Sequence, residues 1–365
     1  MPDPNVIVAL VTRIDPPLER GGAAELLRKN PRGVSILFEG GRTARLLPGE
    51  RAAGTLEVLD GLRRLRAPAY VEVRPDTQAI ERLLIPLVSR VTRVIDLGAD
   101  GTQVEFESSH ARHRLERNQS DSETMLAALR AAAEKRTWVA VTESDRHEIL
   151  DVRPWPGGPS RPAEIPRRPP PRLLARIWRW LRCWTRCWCC ATPRRAQRLF
   201  DLVAGQTCDP LTVPPPCIPF LYPDDGCWAR AHEMCRLMLA AGASPRKVWI
   251  DGSLHTPTKN HPNCFVNWGW HVAPTLCVRR GFWRSEEMVI DPSLFTTPVS
   301  MATWKGVQGD PSATLTQTPA SNYWRSTMPT DPGYVDTNYW LDYYRLQLKN
   351  RSLQPAGPPP YANCP

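Results

Sequence analysis

The segment Asp224-Asp-Gly-Cys-Trp-Ala-Arg-Ala-His-Glu-Met-Cys-Arg-Leu-Met-Leu-Ala-Ala-Gly242 reads as a loop that turns into a helix at Cys227. From Ala229 to Ala241 apolar residues recur at helical spacing, and Gly242 supplies a natural C-cap. Asp224 or Asp225 is expected to cap the start. Cys227 then stands at a helix N-terminus, where the dipole and unpaired N–H groups favour a thiolate and lower a thiol pKa to about 3.5–7.5. A cysteine so placed is a nucleophile.

A nucleophilic thiol needs a base, and the base needs a group that holds its tautomer and its charged form. His271 lies in Asn267-Trp-Gly-Trp-His-Val-Ala-Pro-Thr-Leu276, which has the character of a strand. Asp291 follows in Met288-Val-Ile-Asp-Pro-Ser-Leu-Phe295, at the end of the next strand. A hairpin of these strands brings histidine and aspartate together, with the Cys227 helix packed across them. The order Cys, His, Asp is the one used by transglutaminase-like thiol enzymes. Trp228, Trp268 and Trp270 flank these positions, and they either wall a substrate channel or pack the core. His232 and Glu233, one turn beyond Cys227, read as surface or packing residues and not as a metal site.

The blocks IPFLYPDDGCWARAHEM, NWGWHVAP and VIDPSLFTTPVS, with Tyr323-Trp-Arg-Ser downstream, closely resemble the bacterial protein-glutaminases, the protein-glutamine deamidases with a transglutaminase-like core. The resemblance runs from about Pro216 to about Gln347. It implies that Cys227 is the nucleophile, His271 the general base and acid, and Asp291 the residue that orients the histidine. It further implies attack on the side-chain amide of a protein-bound glutamine, a γ-glutamyl thioester, and hydrolysis to glutamate and ammonia without metal, nucleotide or other cofactor. The same three residues would also serve a transglutaminase or a cysteine protease. A different class of reading is a non-catalytic protein that only recognises glutamine, against which the intact triad argues.

The fold class expected is α+β: a transglutaminase-like cysteine hydrolase domain over 201–365 and a separate N-terminal α+β domain over 1–153. In the latter, Asn5–Ile14, Val34–Phe38 and Ala69–Val73 read as strands, Ala23–Lys29 and Gln78–Leu84 as helices. Val91–Leu97 and Gln103–Ser108 read as a hairpin turned at Asp100-Gly101, followed by a helix from Asp121 or Ser122 through Ala133 and strands Trp138–Val141 and Glu148–Val152. His110, His113 and His147 have no Cys or carboxylate at ligand spacing and read as solvated surface residues. No chemical role follows for this domain.

Between the two domains, residues 154–200 open with a Pro- and Arg-rich stretch, Pro154–Pro171, expected to be a stiff linker. Leu173–Cys190 then projects Leu173, Leu174, Ile177, Trp180, Leu181, Trp184 and Trp188 onto one helical arc, with Arg172, Arg176, Arg179, Arg182 and Arg186 opposite. This helix suits an anionic membrane surface, with Cys183, Cys187, Cys189 and Cys190 available for acylation, or packing of its Trp stripe on a domain. Four clustered cysteines without a second pair are a weak zinc signal.

The 365 residues carry 47 Lys+Arg and 37 Asp+Glu, a net charge of +10. By segment, 1–153 holds 23 basic and 23 acidic side chains, 154–200 holds 11 and 1, and 201–365 holds 13 and 13. The excess therefore belongs to the segment between the domains, which argues against a nucleic-acid groove in either fold. The N-terminus shows no basic region or cleavage site of a signal peptide. That points to a bacterial cytoplasmic protein or to export by another route, with delivery as an effector or toxin one use of the basic segment. Eleven cysteines leave at least one thiol free, and Cys208, Cys217, Cys235, Cys264 and Cys277 are open to disulfide pairing or to burial as thiols.

Overall fold

The structure is a computed structural model that describes residues 3–18, 22–119, 121–159, 190–212, 216–281, 284–324 and 330–364. The linker from Ser160 on, the Leu173–Cys190 helix apart from Cys190, and the Arg-Ser of the Tyr323 block lie outside the described residues. The chain divides into two compact units, Met1–Ala163 with Leu346–Pro358, and Glu164–Arg345 with Pro359–Pro365. Among the described residues no helix is long and apolar enough to cross a membrane.

The first unit is built from one motif used twice. Strands β1 (Val6–Asp15), β2 (Val34–Phe38), β3 (Thr43–Leu46), β4 (Pro68–Val73) and β5 (Ile80–Leu84) form an antiparallel sheet in the order β3-β2-β1-β4-β5. Helix α1 (Gly22–Lys29) follows β1, and helix α2 (Ala52–Leu65) connects β3 to β4. Strands β6 (Leu87–Asp96), β7 (Thr102–Phe106), β8 (His113–Leu115), β9 (Trp138–Glu143) and β10 (Ile149–Pro154) repeat this order, with helix α3 (Ser122–Lys135) in the place of α2.

The repetition reaches single hydrogen bonds. Thr12 Oγ1 donates to Leu37 O at 3.0 Å, and Thr92 Oγ1 to Glu105 O at 2.9 Å, each at a bulge in the first strand of its sheet. Arg66 and Arg136 end their helices in the left-handed conformation, φ 54° and 52°. Arg45 N donates to Gln78 O and Arg114 N to His147 O, both at 2.8 Å. Residues 346–358 complete the unit: Gln347 Nε2 donates to Ile85 O, Asn350 Nδ2 to Leu83 O, and Arg351 Nε to Asp145.

Two readings of this region need correction. Gln78–Leu84 is expected as a helix, but Ile80–Leu84 is strand β5, held by pairing Glu72 with Arg82 across β4. Pairing partners outweighed a weak local preference. The histidines expected at the surface are buried, His110 and His113 at 1% and His147 at 7% exposure, and Glu143 supplies the carboxylate that the spacing had not suggested.

Among the described residues the second unit holds one antiparallel sheet. Strands β11 (Arg246–Pro257), β12 (Phe265–Arg279), β13 (Ser285–Val289), β14 (Val299–Ser300) and β15 (Thr314–Pro319) lie in the order β14-β13-β12-β11-β15. Among its described residues are helices α4 (Pro193–Ala204), α5 (Cys227–Ala240), α6 (Met301–Gly306) and α7 (Val335–Ser352), which belongs to this unit through Arg345. The core gathers Val248, Ile250, Leu254, Val266, Trp268, Ala273, Val289 and Trp304. Helix α5 packs on β12, whose residues Trp268 to Leu276 are nearly all buried on both faces. Disulfides join Cys190 to Cys277, Cys208 to Cys217 and Cys264 to Cys364, while Cys227 and Cys235 are buried free thiols.

Candidate active site

Helix α5 begins at Cys227 because Gly226 takes a left-handed turn, φ 80°, which a residue with a side chain adopts only under strain. The N-cap position is taken by Gly226 and not, as expected, by either aspartate. The Asp225 carboxylate accepts from Gly226 N at 2.9 Å, and the Asp224 carboxylate lies 3.0 Å from His261 Nε2. The first intrahelical bond runs from Arg230 N to Gly226 O, so the N–H groups of Cys227, Trp228 and Ala229 stand outside the helical ladder. Arg230, 1% exposed, folds back to donate to Tyr222 O at 2.9 Å and to Asp225 O, fixing the loop before the thiol.

Strand β12 carries His271 at the level of Ile250 on β11. Strand β13 ends at Val289, and the chain delivers Asp291 two residues later. His271 Nε2 lies 2.9 Å from Asp291 Oδ2, and that same oxygen accepts the Trp304 indole N–H at 2.9 Å. Asp291 Oδ1 accepts Ser293 N at 3.2 Å. Cys227 Sγ lies within 4.8 Å of a His271 ring nitrogen. The three residues expected to act together are thus brought together by a helix start, a strand centre and a strand end.

The electrostatics of the site differ from the sequence expectation in one respect. Burial pushes the Cys227 thiol up, not down, opposed by the Arg230 charge and by an N–H from Val272 and reinforced by the Asp225 and Asp291 carboxylates. Desolvation at 1% exposure outweighs the helix N-terminus. Burial also works against the charge on Asp291, yet the His271 partner, the Trp304 N–H and the Arg230 charge hold its carboxyl below the usual range.

The three tryptophans are all buried. Trp268 stacks on His271, centroids 4.5 Å apart, and donates to Asp224 O at 2.9 Å. Trp228 packs among Trp270, Trp324, Trp340 and Tyr344. His232 and Glu233 are packing residues, not surface ones: His232 lies against Tyr323 and Tyr334, and Glu233 pairs with Arg236. Sequence reasoning missed Trp304, whose ring also stacks 5.5 Å from His271. The available signal was Ser300, which caps α6 through Thr303 N and so fixes the next residue beside Asp291.

A thiol at a helix start, an imidazole and a carboxylate bound to that imidazole form the donor set of thiol hydrolases. Residues 196–308, just under a third of the chain, match the family model described as glutaminase. A search of curated proteins returned no match. Among solved structures, the chain is similar to the crystal structure of a pro-protein-glutaminase, with 23% identity over 76% of this chain and 97% of the other, TM-score 0.49. The NMR structure of protein-glutaminase from Chryseobacterium proteolyticum is 29% identical over 48% of this chain and 97% of that one, TM-score 0.40.

Proposed function

We propose that the protein is a protein-glutamine deamidase in which Cys227 is the nucleophile, His271 the acid and base, and Asp291 the orienting carboxylate. The observation that carries this reading is the position of His271, bonded through Nε2 to Asp291 and within reach of Cys227, inside the segment matched to the glutaminase family. With Nε2 committed to Asp291, Nδ1 is the nitrogen that serves the thiol.

Proton transfer from Sγ to His271 creates a thiolate and imidazolium pair, which the Val272 N–H stabilises on the sulfur side. Sγ bonds to the carboxamide carbon of a glutamine side chain, and its π electrons move to oxygen. The N–H groups at the start of α5 are placed to hold that oxyanion. His271 returns its proton to nitrogen, the C–N bond breaks and ammonia leaves, giving a γ-glutamyl thioester. Water deprotonated by His271 then adds to the thioester carbon, and the C–S bond breaks to give glutamate and the thiol. Trp270, next to the histidine in β12, would border the glutamine stem, with Trp268 stacked on the imidazole.

The transglutaminase-like arrangement, the N-terminal domain as a separate body and the membrane role of Leu173–Cys190 belong to the same proposal. The disulfides Cys190–Cys277, Cys208–Cys217 and Cys264–Cys364 support function in an oxidising compartment.

The test is incubation of the wild type and Cys227→Ala with casein, measuring ammonia and mapping products by mass spectrometry. Gln-to-Glu conversion on an uncut chain, lost in the variant, is the expected result. Cross-links would indicate a transglutaminase and new termini a protease. Equal behaviour of the two proteins would remove Cys227 from the mechanism.

A further inference from the structure

The second repeat of the first unit buries a polar cluster that the first repeat lacks. His113 Nδ1 lies 2.5 Å from Glu143 Oε2, and His147 Nδ1 lies 3.1 Å from Glu143 Oε1. These donor atoms all lie within 4.8 Å of one another. The imidazoles are 1% and 9% exposed at the side chain and the carboxylate 21%, so the cluster is enclosed on the histidine sides and reachable past Glu143.

The repeat itself provides the internal control. Residue for residue, the N–H to carbonyl bond from Arg114 to His147 copies that from Arg45 to Gln78, and the bridge of Arg114 to Glu148 copies that of Arg45 to Ala79. His113 therefore stands where the first repeat has Ala44. Glu143, the last residue of β9, stands where β4 ends in Val73, and His147 where Gln78 lies. Gln78 and His147 share the left-handed backbone, φ 54° and 58°. The first repeat completes the corresponding turn, one residue longer, with a buried alanine, a buried valine and an exposed glutamine. The fold does not require a partly buried carboxylate there, and withdrawing one from water carries a desolvation cost.

We propose that His113, Glu143 and His147 form a binding site for a divalent transition cation of the zinc class. Two imidazole nitrogens and one carboxylate are the three-ligand set of open zinc sites, with a fourth position for water. Ser109 Oγ lies 2.8 Å from His113 Nε2 and itself accepts Ala111 N, which fixes the ring with Nδ1 toward Glu143, as second partners of metal-bound histidines do. Phe106 packs edge-on against the same ring, centroids 4.7 Å apart. Tetrahedral bonds of 2.0–2.1 Å set donors about 3.3 Å apart. An ion between His113 Nδ1 and Glu143 Oε2 therefore opens that pair by about 1 Å and displaces the Nδ1 proton.

The test uses the full chain, stripped with EDTA and titrated with Zn²⁺ by calorimetry and with Co²⁺ by visible absorption. The comparison protein carries the residues of the first repeat, His113→Ala, Glu143→Val and His147→Gln together. The wild type is expected to bind one more equivalent than this variant and to show a Co²⁺ band that the variant lacks. Ser109→Ala is expected to weaken binding about tenfold. Equal stoichiometry and equal Co²⁺ spectra in wild type and folded variant would overturn the proposal. Should the triple variant fail to fold, His147→Gln alone decides: loss of the band with native circular dichroism supports the site, and an unchanged band overturns it.

Discussion

Asp291 binds His271 and Trp304 through a single oxygen, Oδ2, at 2.9 Å from each. The carboxylate is thereby held in one orientation, and the imidazole with it. Asp291→Asn preserves shape but replaces the acceptor that selects the tautomer. It is expected to lower kcat for casein deamidation by about 10³–10⁴ with little change in KM, read from ammonia release.

Trp304→Phe removes one of the two donors to Oδ2 and keeps most of the ring that packs near His271. A loss of one to two decades in kcat is expected, since a second partner of the proposed orienting carboxylate acts through position. Because the indole is fully buried, a fall of about 1–3 kcal/mol in stability accompanies it, measurable by urea denaturation.

Gly226→Ala tests the start of α5. A Cβ there would lie 2.3 Å from Tyr344 Cδ2, on a backbone with φ 80°. Both features oppose the substitution. Destabilisation of at least about 2 kcal/mol and loss of deamidation are expected, seen as a lower Tm and reduced ammonia release.

Alkylation reports the state of Cys227. Burial holds it as a thiol in this structure, so iodoacetamide at neutral pH is expected to modify it at least about tenfold more slowly than a free cysteine. Peptide mapping of native and unfolded protein measures the ratio. Rapid native labelling of Cys227 would contradict the buried arrangement.

Lys247 makes stability depend on pH. It is fully buried, donating from Nζ to Asn322 O and to His232 Nδ1, and desolvation pulls it down to about 8 from 10.5. Between these values the unfolded chain holds a proton that the folded chain lacks, so this residue's contribution rises with pH across the window and is lost as pH falls through about 8. Lys247→Met removes the dependence. The difference in unfolding free energy between wild type and variant is expected to change by on the order of 3 kcal/mol from pH 8 to 10.5.

The site was legible where chemistry and local pattern coincide. Cys227 follows a glycine at the change from loop to helix, and His271 and Asp291 sit in apolar runs that only strands explain. What sequence could not give depends on distant partners. Gln78–Leu84 has helical composition but finds β4, and Asp224 looks like a cap until His261 engages it. The disulfide partners of Cys190 and Cys264 lie 87 and 100 residues away, so spacing carried no information about them. Glu143 and His147 are four residues apart, yet their meeting with His113 depends on the pairing of β8 beside the β9–β10 turn, which no local rule predicts.

Two sheets of one topology in a single chain offer every strand a look-alike partner while the protein folds. A β9 strand that strays into the first sheet would set Glu143 against Ala44, a buried charge with no imidazole beside it. A β4 strand in the second sheet would leave His113 facing Val73. The polar cluster of one repeat and the apolar set of the other therefore act as a matched lock and key, penalising strand exchange between halves and between neighbouring molecules.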